Sequence, residues 1–421
     1  MRDPDEVRRT IEAVWRIEAA KVTAVVARLV GDIGLAEDLA QDAFVQALEQ
    51  WPRDGIPTKP GAWLTQTARR RAIDRIRRDV NLARKLELVG RSEELRVADV
   101  SEGDFAAALE DVDDDVLALI FAACHPALGA EARITLTLRM IGGLTTREIA
   151  RAFLTSEATV GQRVSRAKRT LAGEGVTLEI PSGAELAPRL ASVLEVVYLI
   201  FNEGYAATSG RDWVRGDLME EAIRLGRVLA ALAPREPEVL GLLALMEIQA
   251  SRTRARIGPA GEPILLLDQD RSRWDWALIR HALAALDRAT ELSGIRGPYV
   301  LQAAIAACHA RARTADATDW PFMVRLYDEL QSRRPSPVVA LNRAVALSYA
   351  AGPGPALDAL DAVAGARELA DYHLLPSVRG DLLERLGRTE EARAEFVRAA
   401  ELAQNEAERT LLLQRAGRTG E

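Results

Sequence analysis

Ala36, Leu39, Ala40, Ala43, Phe44, Ala47 and Leu48 recur at three- and four-residue spacing, which lines one face of a helix and scatters over both faces of a strand. The same period returns in Leu64, Ala68, Ala72, Ile73 and Ile76, and again in Val160, Val164, Ala167 and Leu171. Pro52, Gly55, Pro57, Pro60 and Gly61 break the first two runs apart and predict a loop over 52–62, with the next helix at Trp63 to Arg78. Aromatic residues are 5% of the chain while Ala, Leu, Arg and Glu dominate, so the expected fold class is all-α.

A chain of 421 residues has room for two to four domains, and 48% hydrophobic with 28% charged residues is a soluble globular balance. The two cysteines, Cys124 and Cys308, are too few for a disulfide framework or a four-thiolate zinc site. No apolar run reaches the roughly 18 residues of a membrane span, and Val193 to Phe201 carries Glu195 in its middle. The charged start leads into no apolar signal core, so a cytoplasmic protein without membrane association is expected.

The net charge of −7 argues against an affinity for phosphate, but its distribution does not. Trp63 to Lys85 carries eight basic residues, among them Arg69, Arg70, Arg75, Arg77 and Arg78, against Asp74 and Asp79. Thr145 to Leu171 carries six basic residues against Glu148 and Glu157. Between them, Glu87 to Asp115 holds eleven acidic residues and two basic ones. Phosphate binding follows local clusters rather than the whole-chain sum.

The second basic stretch has the form of a helix-turn-helix. Thr145 and Glu148 stand at capping-box spacing, so a helix starts there. Phe153-Leu154-Thr155 makes the turn and Ser156 caps a second helix, whose buried stripe is Val160, Val164, Ala167 and Leu171. Thr159, Gln162, Arg163 and Arg166 are left outward, with Gln suited to adenine, Arg to guanine, and Arg166 and Lys168 to phosphate. A plain helical hairpin with a solvated basic face is the competing reading, and the upstream basic helix weighs against it. In the first acidic helix, Asp38, Gln41 and Asp42 stand at i, i+3 and i+4, one polar patch opposite the apolar stripe together with Glu37.

Taken together, the arrangement resembles the bacterial sigma factors of the extracytoplasmic-function (ECF) type. Ala36-Glu-Asp-Leu-Ala-Gln-Asp-Ala-Phe44 is similar to the region 2 helix that grips the β′ clamp helices of core RNA polymerase. The resemblance thus implies Asp38, Gln41 and Asp42 as polymerase contacts. Trp63 to Arg77 is similar to the helix at the melted promoter, where Arg69, Arg70, Arg75, Arg77 and Arg78 would position phosphates; Arg70 departs from the family's usual Asn. The preceding loop captures a flipped base in that family, which makes Thr58 and Lys59 candidates. Residues 113–172 look like region 4, which reads the upstream promoter element.

Beyond residue 176 the chain reads as Ala/Leu-rich helices. Pro298, Pro337 and Pro376 each open a helix-like run, 39 residues apart, and Leu386-Gly387 to Ala392 with Phe396 and Ala399 follows the small–large alternation of tetratricopeptide (TPR) units. With Ala123-Cys-His-Pro-Ala-Leu128 and Tyr198 to Tyr205, this half resembles the subgroup with a TPR-like extension, group 42 of the ECF classification. The expected organisation is region 2 over 1–86, an acidic linker over 87–112, region 4 over 113–175 and the extension over 176–421. The extension either masks the basic helices or holds the sigma domains productively, and offers a surface to a small protein or peptide.

No nucleophile–base pair, Gly-rich phosphate loop or metal-ligand spacing occurs, so no enzyme activity, cofactor or metal is expected. A regulator with a TPR-type sensor would leave residues 36–78 unexplained, and an enzyme built around Glu203 and Tyr205 has no supporting motif.

Overall fold

The computed structural model describes residues 4–87, 112–153, 155–205, 216–258, 264–294, 296–403 and 406–418. Most of the acidic linker, and Leu154 in the predicted turn, lie outside them. The described residues form helices and short 3-10 turns and contain no strand, as the helical periodicity requires. The chain divides into two compact units, Met1–Val197 and Tyr198–Glu421.

The first unit starts with α1 (Pro4–Val30), α2 (Ile33–Asp54) and α3 (Pro60–Glu87). Their apolar stripes meet in one core containing Ile11, Trp15, Val22, Phe44, Trp51 and Leu64, with Trp15 stacked on Phe44 at 4.8 Å between ring centroids. Asp32 accepts from Leu35 N at 2.7 Å and caps α2. Two boundaries differ from the sequence reading. α2 runs through Pro52 to Asp54 and stops where Gly55 turns to φ +87° and donates to Trp51 O, because a proline near a helix end disturbs few of its bonds. α3 starts at Pro60 rather than Trp63, since a proline in the first turn gives up only an N–H that has no helical partner.

The unit continues with α4 (Val112–Ala123), α5 (Ala130–Met140), α6 (Thr146–Ala152) and α7 (Glu157–Gly173). The next helix, α8 (Leu186–Tyr205), runs across the boundary between the units. Within the first unit, Arg189 donates to Phe121 O at 3.0 Å and Ser192 to Cys124 O at 2.6 Å. These are carbonyls at the end of α4 that have no onward helical partner, so α8 caps α4 from outside.

The second unit holds α9 (Gly216–Leu232), α10 (Pro237–Ala250), α11 (Trp276–Leu292), α12 (Pro298–Arg311), α13 (Trp320–Arg333), α14 (Pro337–Ala350), α15 (Pro353–Asp361), α16 (Leu374–Arg385), α17 (Thr389–Leu402) and α18 (Glu406–Arg418). From α9 onward, successive helices pack on one another as in a helical-repeat stack. Pro298 and Pro337 each occupy the first position of a helix, whereas Pro376 sits inside the first turn of α16. Phe396 is fully buried and lies against Gly380, the small–large pairing read from the sequence.

Helix α10 is buried from Val239 to Ile248 and is the central rod of its end of the unit. Glu238 reaches from α10 to accept from Tyr299 N at 2.9 Å and Val300 N at 3.1 Å, and so caps α12. The approach of the two helices depends on Gly241: a Cβ there would lie 2.6 Å from Val300 N and 2.9 Å from Val300 Cα. Backbone cannot step aside as a side-chain tip can, so Gly241→Ala should cost about 1–3 kcal/mol by overpacking. A lowered thermal midpoint checks this, and an unchanged one would mean that α10 and α12 can separate freely.

Candidate nucleic-acid interface

The helix-turn-helix forms from local chemistry. Thr145 Oγ1 accepts from Glu148 N at 3.2 Å while Glu148 Oε2 accepts from Thr145 N at 2.8 Å, a complete capping box. Arg16 from α1 joins the Glu148 carboxylate. Burial alone would raise the Glu148 pKa, but the bonds from Thr145 and the Arg16 cation hold it below the usual carboxylate range. Thr155 N closes the turn on Ala150 O at 2.9 Å, and Ser156 accepts from Thr159 N at 3.1 Å to cap α7. Val160, Val164, Ala167 and Leu171 are buried, as the stripe predicts.

The outward face of α7 brings four of the predicted readers together. Thr159, Gln162, Arg163 and Arg166 line one concavity of about 520 Å³ with Gly129 and Glu131. Gln162 and Arg166 are exposed; Arg163 is half-buried and pairs with Glu131 at 2.7 Å. Lys168 is not part of this face. Its ammonium group turns onto α2, 2.5 Å from Glu37 Oε2 and 2.7 Å from Asp38 Oδ1. Burial would lower its pKa, but the two carboxylates outweigh that and hold it above the ordinary lysine value.

On α3, Arg70, Arg75, Arg77 and Arg78 are exposed and Arg69 is half-buried. Arg71 turns back to Asp42 at 3.0 Å and Gln46 at 3.2 Å. Thr58 and Lys59 are exposed in the short connection between α2 and α3. Trp63 stands edge-on to Trp51 at 5.3 Å and packs against the core of the α1–α3 bundle, so its ring serves the core.

The acidic patch of α2 is only partly as expected. Asp38 and Asp42 are exposed and Gln41 is half-buried. Glu37, read as a member of the solvated face, is instead 3% exposed and held by Arg139 at 2.9 Å as well as by Lys168. Ile33, Ala40 and Phe44, at i−4, i+3 and i+7, put Glu37 at the margin of the apolar stripe, where either solvent or a covering helix can claim it. Cys124 is buried with its sulfur 3.3 Å from Thr137 Oγ1. Among the described residues no group of side chains could hold a metal ion, and no helix is long and apolar enough to cross a membrane.

In the second unit a groove of about 840 Å³ is lined by residues that include Asp268, Trp320, Tyr349, Asp381 and Arg415. Trp320 stacks on Tyr349 at 4.4 Å, and Arg415 bonds Asp381 and Glu384 at 2.7 Å each. Tyr205 is engaged inside this unit: its hydroxyl accepts from Arg252 at 3.0 Å and Arg256 lies 3.6 Å from its ring centre.

A capped helix-turn-helix, an arginine-bearing helix and an acidic helix in one unit define a two-part DNA-binding protein of the transcription machinery. Comparison with known families agrees: residues 16–81 match Sigma-70 region 2 and residues 118–171 match Sigma-70, region 4. The probable ECF RNA polymerase sigma factor SigI of Mycobacterium tuberculosis is 30% identical over 168 residues, 38% of this chain and 54% of that protein, so the match spans about half of SigI. The ECF RNA polymerase sigma factor SigK of Mycobacterium ulcerans is 30% identical over 164 residues, 36% of this chain and 78% of SigK. The chain belongs to the ECF RNA polymerase sigma factors. As a sigma factor it binds core RNA polymerase and promoter DNA in transcription initiation and is not an enzyme.

The likeness also extends past the sigma domains. Residues 189–290 match a family of unknown function, DUF6596. An uncharacterized protein of Rhizobium meliloti is 45% identical over 379 residues, 90% of this chain and 88% of that protein.

Proposed function

We propose that this chain is an ECF sigma factor of the subgroup with a TPR-like C-terminal extension, the group 42 type, acting in the cytoplasm. Region 2 (1–86) meets the β′ clamp helices through Asp38, Gln41 and Asp42. The exposed arginines of α3, with Thr58 and Lys59, meet the melted downstream element. Region 4 (113–175) reads the upstream element. The observation that carries this reading is the shared concavity of Thr159, Gln162, Arg163 and Arg166 on a helix capped by its own sequence. Such a face offers base-reading donors at the front and a phosphate-seeking cation beside them.

Transcription from promoter variants, with reconstituted holoenzyme, tests it. Arg163→Ala should cost about 1–3 kcal/mol and relax the choice of base at one position of the upstream element. Arg166→Ala should weaken binding evenly across sequences and reduce the salt slope by about one. An Arg163→Ala protein with unaltered promoter preference would sink the assignment of α7.

The extension supports rather than suppresses activity in this reading: it holds the sigma domains in a productive arrangement. Its groove of about 840 Å³, with an aromatic stack on one wall and carboxylates on another, suits a peptide or a small protein segment.

A further inference from the structure

Helix α7 does not form its concavity alone. The other wall is the first turn of α5, where Gly129, Ala130 and Glu131 line the same space as Thr159, Gln162, Arg163 and Arg166. The Glu131 side chain is 75% exposed there, and its Oε2 pairs with Arg163 Nη2 at 2.7 Å. The turn that carries it is held from behind. Two residues on, Arg133 donates to Ser192 Oγ at 2.6 Å and to Glu195 at 3.1 Å, which ties the start of α5 to α8. Arg166, in the same concavity, has no acidic partner among the described residues. A carboxylate on a surface that meets a polyanion lowers the affinity for every sequence, and an ion pair this exposed adds little to folding. Neither affinity nor stability therefore accounts for Glu131.

We propose that Glu131 is a specificity determinant of the upstream-element interface: it positions Arg163 as a base reader and withholds that guanidinium from the phosphate backbone. This rests on the assignment of α7 given above. An arginine alone on a helix surface sweeps many rotamers and finds the nearest phosphate, a contact that carries affinity but no sequence information. Paired through Nη2, Arg163 keeps fewer rotamers and its charge is already answered, so a phosphate gains less by binding it. A base edge still gains. Guanine O6 and N7 take directed donors, and the guanidinium has five N–H groups of which the carboxylate engages one side. A side chain ordered before DNA arrives also gives up less freedom when it binds. Arg163 and Arg166 stand one helical turn apart on α7, and a carboxylate from another helix sorts them, one to the bases and one to the phosphates.

Holoenzyme reconstituted with the full-length chain tests this, with binding and run-off transcription measured on promoters altered at each position of the upstream element. Glu131→Gln should bind every promoter more tightly at low salt. Its salt slope should steepen by about one, because Arg163 becomes free for a phosphate. Its preference should fall about two- to tenfold at one base position, the same one that Arg163→Ala relaxes. The preference is a ratio between promoters on one protein, so a change in folded fraction cancels from it. Arg163→Ala/Glu131→Gln should show the preference of Arg163→Ala alone, since Glu131 acts through Arg163. Glu157→Gln removes an exposed carboxylate from the first turn of α7 and should leave the base preference as it was. Three results overturn the proposal alone: a wild-type preference in Glu131→Gln beside a relaxed Arg163→Ala, an equal relaxation in Glu157→Gln, or a relaxation by Glu131→Gln at a different base that persists without Arg163. The last would make Glu131 a reader of cytosine N4 in its own right. An unaltered preference in Arg163→Ala removes the assignment of α7 and the proposal with it.

Discussion

A chain ending at Val197 should fold, bind core polymerase and lose most of its promoter-directed transcription, while a chain ending at Thr177 should be poorly folded. The difference lies in the first half of α8. Cutting at Thr177 removes Arg189 and Ser192, the partners of Phe121 O and Cys124 O, and also the Ser192 and Glu195 bonds of Arg133 at 2.6 and 3.1 Å. Each lost bond is worth about 1 kcal/mol, more where a guanidinium takes part, so the shorter fragment should melt well below the longer one. The longer fragment then isolates the contribution of residues 198–421. With the extension in a supporting role, transcription should fall by about tenfold or more, equivalent to about 1.4 kcal/mol or more of productive docking. Run-off transcription, with core binding measured in parallel, checks this. Higher output from the longer fragment would make the extension an inhibitor, and equal output would leave it without either role.

Arg227→Ala should destabilise the second unit by about 3–5 kcal/mol, because it leaves a buried carboxylate without its main counter-ion. Glu247 sits in α10 with none of its side chain exposed. Its Oε1 takes two bonds from Arg227, at 2.9 and 2.7 Å, and its Oε2 contacts His281 Nδ1 at 2.5 Å. The reverse change is milder. In Glu247→Gln the buried group is neutral, and Arg227, whose side chain is 52% exposed, recovers its hydration. The double variant Arg227→Ala/Glu247→Gln should therefore be more stable than Arg227→Ala alone, a non-additivity that urea unfolding resolves. Equal stability of the two would mean that Glu247 is not the source of the loss.

Much of this organisation could be read before any coordinates. The stripes of α2, α3 and α7 gave the buried faces, since a 3.6-residue period leaves little choice of inward side. Thr145, Glu148 and Ser156 are caps that act within four residues, so their partners are present in the local sequence. Boundaries at prolines are less legible: the sequence predicts a loop that takes in Pro52 and Pro60, yet they stand at a helix end and a helix start, where a missing N–H is tolerated. The segment Tyr198 to Tyr205 is legible as an apolar, aromatic run, but not its partners, which are Tyr299 of α12 and, in the turns after α10, Arg252 and Arg256.

The sequence by itself thus determined the helices, their caps, the helix-turn-helix and the positions of the two basic helices, because each depends on neighbours within about two turns. Tertiary structure alone decided what happens to charges at the margins of the stripes. Glu37 and Lys168 are 131 residues apart and meet only because α7 packs across the start of α2. A charge at the edge of an apolar stripe is solvated or buried according to what covers it, and no local pattern specifies the cover. The same holds for α8, whose Arg189 and Ser192 look like ordinary surface residues until the open end of α4 is brought against them. Local propensity chooses the element, but the free energy of a marginal charge is set by desolvation and by the partner that the fold delivers.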